Sequence, residues 1–125
     1  FSRVSGGGEW VQTHKLSGDG VEFDSFGSSV SMSDDTIVVG APNGKHGVVF
    51  VFSRGDTGEW MLIQKIIRVE GKYQNRFGNS LAVLGDILVI GAVGESYGNA
   101  HDVGATYLFS RDEGGKWLQT NKFVV

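Results

Sequence analysis

Phe26-Gly27-Ser28-Ser29-Val30 is the stretch on which the fold turns, because it returns 51 residues later as Phe77-Gly78-Asn79-Ser80-Leu81. Val39-Gly40-Ala41 returns at the same interval as Ile90-Gly91-Ala92. Further out, Phe-Ser-Arg begins at Phe1, Phe52 and Phe109, and a tryptophan follows each time, at Trp10, Trp60 and Trp117. The later spacing of both landmarks is 57 residues, and the six additional residues fall between Ala92 and Phe109. Self-similarity at a period near 50 marks a repeat architecture, in which each unit needs a neighbour to bury its apolar face.

Within one unit the pattern predicts four short strands and no helix. Gly27 to Ser33 and Gly78 to Leu84 alternate small or polar residues with apolar ones. Thr36 to Ala41 and Ile87 to Ala92 are continuous apolar runs, as expected of strands covered on both faces. Val48 to Phe52 and Ala105 to Phe109 are rich in Val, Phe and Tyr, which favour strands. The fourth strand starts at each tryptophan and has a polar centre, Gln12-Thr13-His14-Lys15 or Gln119-Thr120-Asn121-Lys122, which suits a solvent-facing edge. Turns are expected at Ser33-Asp34-Asp35, Asn43-Gly44, Gly55-Asp56-Thr57-Gly58, Gly85-Asp86 and Asp112-Glu113-Gly114-Gly115.

Four antiparallel strands per unit, tandemly repeated, predict an all-β chain of β-propeller blades. The landmarks Phe26-Gly27 with Gly40-Ala41-Pro42, and Phe77-Gly78 with Gly91-Ala92, resemble FG-GAP repeats, which build the integrin α-subunit propeller and many microbial relatives. The pattern departs once, where Val93 replaces the proline, a change expected to loosen one turn. Residues 1–17 are expected to be the outer strand of a preceding blade, with the strand itself at Glu9 to Leu16, residues 18–67 a first complete blade, and residues 68–125 a second. That is a partial propeller of nine strands, because a ring needs about 4–8 blades. The remaining blades are expected from the same parent chain or from other copies.

Composition bounds the partners. Forty per cent of the residues are hydrophobic and 20% charged, enough apolar material for a folded core. The net charge of −3 lacks the basic excess that phosphate neutralisation requires, which argues against nucleic acid. No apolar run reaches the length of a membrane-spanning helix. The absence of cysteine excludes disulfides and thiolate chemistry.

The chain carries no expected catalytic constellation, and the expectation is that it is not an enzyme. His14, His46 and His101 occupy different places in the repeat without ligand spacing. Gly6-Gly7-Gly8 precedes a strand rather than a helix, so it is a turn and not a phosphate cradle. Arg54-Gly55-Asp56 spells the tripeptide that integrins recognise in ligands, but it falls in a glycine-rich turn whose repeat counterpart, Arg111-Asp112-Glu113-Gly114, lacks it. Integrin-type repeats often hold calcium in a carboxylate-rich loop between the first two strands. Here that connection is Ser33-Asp34-Asp35 or Leu84-Gly85-Asp86, too short for the six to eight oxygens of calcium, so Asp35 and Asp86 are expected to form turns and no metal or cofactor is expected. The denser set Asp19, Glu22 and Asp24 has only Glu70 and Asn75 at the matching positions of the next repeat. Tryptophans leading the outer strands could stack on sugars, yet their recurrence in every unit fits packing between blades better.

Strand parity concentrates the recognition candidates. In an antiparallel blade the second-to-third and blade-to-blade connections leave by the same end, and those are the long ones, Ser17 to Ser25, Asn43 to His46, Val69 to Arg76 and Val93 to Val103. Long loops on a rigid scaffold are where binding residues concentrate. Tyr97, Asn99, His101 and Asp102 are the first candidates for contact, with Asp24 and Tyr73 next. The resemblance agrees, since integrin propellers bind ligands with this face, and it implies an extracellular or cell-surface setting. The expected role is a module that binds a protein or glycan, with a structural scaffold or the accessory propeller of a secreted enzyme as alternatives.

Overall fold

A computed structural model of the chain describes residues 1–18, 25–43, 47–68, 75–94 and 103–124. All their regular elements are strands. β1 (Ser2–Arg3) and β2 (Trp10–Val11) form a short hairpin. β3 (Ser29–Ser33), β4 (Thr36–Ala41), β5 (Val48–Arg54) and β6 (Trp60–Ile67) make one antiparallel sheet in chain order. β7 (Phe77–Leu84), β8 (Ile87–Ala92), β9 (Ala105–Arg111) and β10 (Trp117–Val124) make a second of the same order. These are the expected all-β, four-stranded blades. The inserted residues lie where the spacing put them, since the 93–104 connection is six residues longer than its 42–47 counterpart.

Two-residue turns join the first two strands of each blade, and the first turn residue takes positive φ, 49° at Asp34 and 57° at Gly85. Glycine and aspartate tolerate that region. The second turn residue is an acid that holds the third strand. Arg54 donates Nε and Nη2 to Asp35 Oδ1 at 3.0 and 2.6 Å, and Arg111 does the same to Asp86 at 2.9 and 2.7 Å. Each arginine also lies over the tryptophan that opens the next strand, Arg54 5.6 Å from the Trp60 ring centroid and Arg111 5.3 Å from that of Trp117. The recurrence of Phe-Ser-Arg with a later tryptophan thus has a physical cause, because the arginine links the inner turn to the outer strand. Asp35 and Asp86 are ion-pair partners as well as turn formers.

The main core lies between the blades. Val38, Val49, Val51 and Ile66 of the first blade pack with Phe77, Val83, Leu88, Ile90, Tyr107, Phe109 and Trp117 of the second, all at 7% exposure or less. Side chains alternate across a strand, so the other face of the first blade carries a separate cluster of Val39, Ala41, Val48, Phe50 and Phe52, against which Leu16, Phe26 and Trp60 pack. Phe26 meets Phe50 edge to face at 5.1 Å, as Phe77 meets Tyr107 at 5.3 Å in the next repeat.

Three expectations need correction. The outer strand expected at Glu9 to Leu16 is confined to Trp10–Val11, because the strand beside it supplies only Ser2 and Arg3, and Leu16 turns instead onto the first blade. Counting that partner strand, the chain has ten described strands rather than nine. Burial on both faces holds for β4 but not for β8, where Leu88, Ile90 and Ala92 are buried while Ile87 is 44% exposed. β4 has packing on both sides. On one side of β8 no described element lies close enough to exclude water.

Candidate functional site

All six expected contact residues, Tyr97, Asn99, His101, Asp102, Asp24 and Tyr73, lie outside the described residues. So do Asp19, Glu22, Glu70, His46 and most of the long-loop segments. The described residues show how these loops are anchored. Antiparallel order sends the 2–3 and inter-blade connections out of one end of both blades, as the parity argument requires, while the opposite end carries the Asp–Arg-tied turns.

At the loop end each blade closes its loop mouths with polar contacts. In the first blade Asn43 donates Nδ2 to Ser25 Oγ at 2.8 Å, joining the base of the 2–3 loop to the entry of β3. In the second, Asn75 is 1% exposed, its Oδ1 accepts the Phe77 N–H at 3.1 Å, and its carbonyl accepts the Gly94 N–H at 2.9 Å. This Asx turn positions Phe77 beneath Tyr107 and Phe109 and ties the inter-blade loop to the inserted one. Ser25 and Arg76, one residue before each Phe-Gly, take positive φ of 74° and 56°. The signal is present in the sequence, since Asp24-Ser25-Phe26-Gly27 and Asn75-Arg76-Phe77-Gly78 share the Asx spacing. Among the described residues no three His, Asp or Glu side chains converge to hold a metal ion. Val93, in the proline position, is 48% exposed and Pro42 is buried.

Arg54-Gly55-Asp56 sits in the hairpin between β5 and β6, where Gly55 N–H donates to Glu59 O at 2.9 Å and Arg54 is occupied by Asp35. The tryptophan series also sorts itself by neighbour. Trp117 is 1% exposed against the first blade, whereas Trp10 is 65% exposed. Both backbone polar groups of Trp117 are held across the junction, its N–H donating to Gln64 Oε1 and its carbonyl accepting from Gln64 Nε2, each at 2.9 Å. At Trp117 the ring therefore packs between blades rather than standing open to a ligand.

Sequence comparison matches the FG-GAP repeat at residues 10–52 and 60–109, well over half of the chain. This chain belongs to the FG-GAP repeat family. Each matched unit of this FG-GAP protein starts at a tryptophan, Trp10 or Trp60, and ends in a third strand, so the repeat is offset by one strand from the blade. Consecutive repeats therefore share a sheet, and the chain between β6 and β7 crosses from one blade to the next. No curated protein matches the chain closely.

Proposed function

We propose that this FG-GAP protein is a non-catalytic binding module that presents the long-loop end of its blades to a protein or glycan outside the cell or at its surface. The observation that supports this most is the asymmetry between the two ends of the blades. One end has two-residue turns clamped by Asp35–Arg54 and Asp86–Arg111, and the other has long loops rising from mouths held by Ser25–Asn43 and Asn75–Gly94. Hydrogen bonds across the mouths lower the ordering cost of binding through long connections, and the sequence of those connections includes Tyr97 and Tyr73, aromatic residues of the kind that anchor recognition surfaces.

The test is a screen of the 125-residue chain against arrays of purified glycans and extracellular proteins, repeated with Tyr97→Ala/His101→Ala. Loss of the captured ligand with unchanged thermal unfolding is expected. Capture that survives the double substitution, or that follows instead an alteration of the Asp–Arg end, refutes the assignment to the long-loop end.

A further inference from the structure

Both blades close the mouth of the 2–3 connection from the same position, two residues past the second strand, but with different chemistry. In the second blade that residue is Gly94, whose backbone N–H donates to Asn75 O at 2.9 Å. In the first it is Asn43, which donates side-chain Nδ2 to Ser25 Oγ at 2.8 Å. Ser25 is itself fixed, at a φ of 74°, by a turn in which Ser28 N–H donates to Ser25 O at 3.0 Å. Asn43 is exposed, and the residue bonded to its carbonyl carbon is Gly44, a pairing that the other asparagines lack.

We infer that Asn43 is a site of spontaneous deamidation at the mouth of this connection, and that Ser25 restrains the reaction. The nucleophile is the following peptide nitrogen, and glycine brings no Cβ to crowd its approach. That nitrogen gives its proton to hydroxide and bonds to Asn43 Cγ. The Cγ–Nδ2 bond breaks, ammonia leaves, and a five-membered succinimide remains. Water then opens the ring. Attack at Cγ breaks the new bond and gives aspartate, and attack at the main-chain carbonyl breaks the original peptide bond and gives isoaspartate. The sum is one water consumed and one ammonia released, with no oxidant or reductant. Ring closure requires Cγ to rotate onto the nitrogen, and the bond to Ser25 opposes that rotation by holding the side chain in one rotamer.

The other asparagines are poorer candidates. Asn75 is 1% exposed, its Oδ1 accepts the Phe77 N–H, and Arg76 follows it. Asn79 and Asn121 belong to β7 and β10, where strand pairing restrains the backbone, and precede Ser80 and Lys122. Asn99 precedes Ala100 and lies outside the described residues. Either product replaces the Nδ2 donor with a carboxylate, adding negative charge to a chain whose net charge is −3. Isoaspartate also lengthens the main chain between β4 and β5 by one methylene, which loosens the mouth beside Ser25. This goes beyond ligand binding, because the chain makes the change on itself with or without a ligand.

Peptide mapping by mass spectrometry, with fragmentation that separates aspartate from isoaspartate, tests the inference on the 125-residue chain incubated at neutral and mildly alkaline pH. Conversion is expected at Asn43 ahead of every other asparagine, and faster at the higher pH because the attacking nitrogen must lose its proton. In the folded chain Ser25→Ala should speed conversion by about fivefold, the factor that corresponds to one lost hydrogen bond. Ser25→Gly suits the positive φ, removes the same hydroxyl without strain and should give the same acceleration. In concentrated urea wild type and both variants should convert at equal rates, since only the fold brings together residues 18 apart. An Asn43 that stays intact, another asparagine that converts first, variants no faster than wild type, or a difference that persists in urea overturns the inference. Conversion is read without any ligand, so its failure and the failure of loop binding are distinguishable.

Discussion

Gly40→Ala and Gly91→Ala are the same substitution at equivalent places in two repeats, and the structure assigns them different costs. At Gly40 the new methyl group would strike the Gly78 carbonyl of the neighbouring blade and Ser29 Oγ, which donates to that carbonyl. The backbone of β7 cannot yield without opening the junction that covers Val38 and Val49. Overpacking in a closed interior costs about 1–3 kcal/mol, and disturbing a part-buried hydrogen bond adds about 1 kcal/mol. Loss of unfolded-chain freedom in Gly→Ala returns about 0.4–1 kcal/mol, which leaves a net loss of about 1–3.5 kcal/mol at Gly40. At Gly91 the three atoms nearest the new methyl group all belong to Ser80, and the one that is too close is its hydroxyl, which can rotate away, so the net change should lie within about 1 kcal/mol of zero. Urea unfolding of both variants measures the difference. Equal losses at the two positions would refute the reasoning, because they would show that the glycine serves its own strand and not the approach of the next blade.

Trp117→Ala should cost about 3–5 kcal/mol as a buried aromatic truncation, while Trp10→Ala, at 65% exposure, should shift stability by no more than about 0.5 kcal/mol. Thermal unfolding of the pair separates inter-blade packing from a merely recurrent residue, and a large loss at Trp10 would count against it. Gln64→Ala removes both hydrogen bonds to the Trp117 backbone and leaves its buried N–H and C=O to find other partners, for an expected loss of about 2–3 kcal/mol. Faster amide exchange at Trp117 in that variant is the local signature, and unchanged exchange would argue that the two blades are not held there.

Much of the fold was legible in the sequence because a repeat exposes its own landmarks. Phe26-Gly27 with Phe77-Gly78, and the three tryptophans, located strand starts to within about two residues, and the glycine and aspartate pairs marked the turns. The Arg54–Asp35 and Arg111–Asp86 pairs were less visible, since their partners stand 19 and 25 residues apart and meet only after three strands have paired in register. The serine ladder was less visible still. Ser29, Ser31 and Ser33 look like the polar face of an edge strand, yet they hydrogen-bond to the backbone of β7 and of the turn that follows it, about 50 residues away.

By itself, then, the order of residues determined strand content, turn positions, four-strand units and family, because backbone propensity and period-two alternation are local properties. Tertiary structure alone decided which of the two faces of each strand is covered. β4 and β8 have closely similar sequences, and they differ in burial because, among the described residues, a blade stands against the rear of β4 alone. Alternation specifies that a strand has two faces, but solvent exclusion depends on what is packed against them.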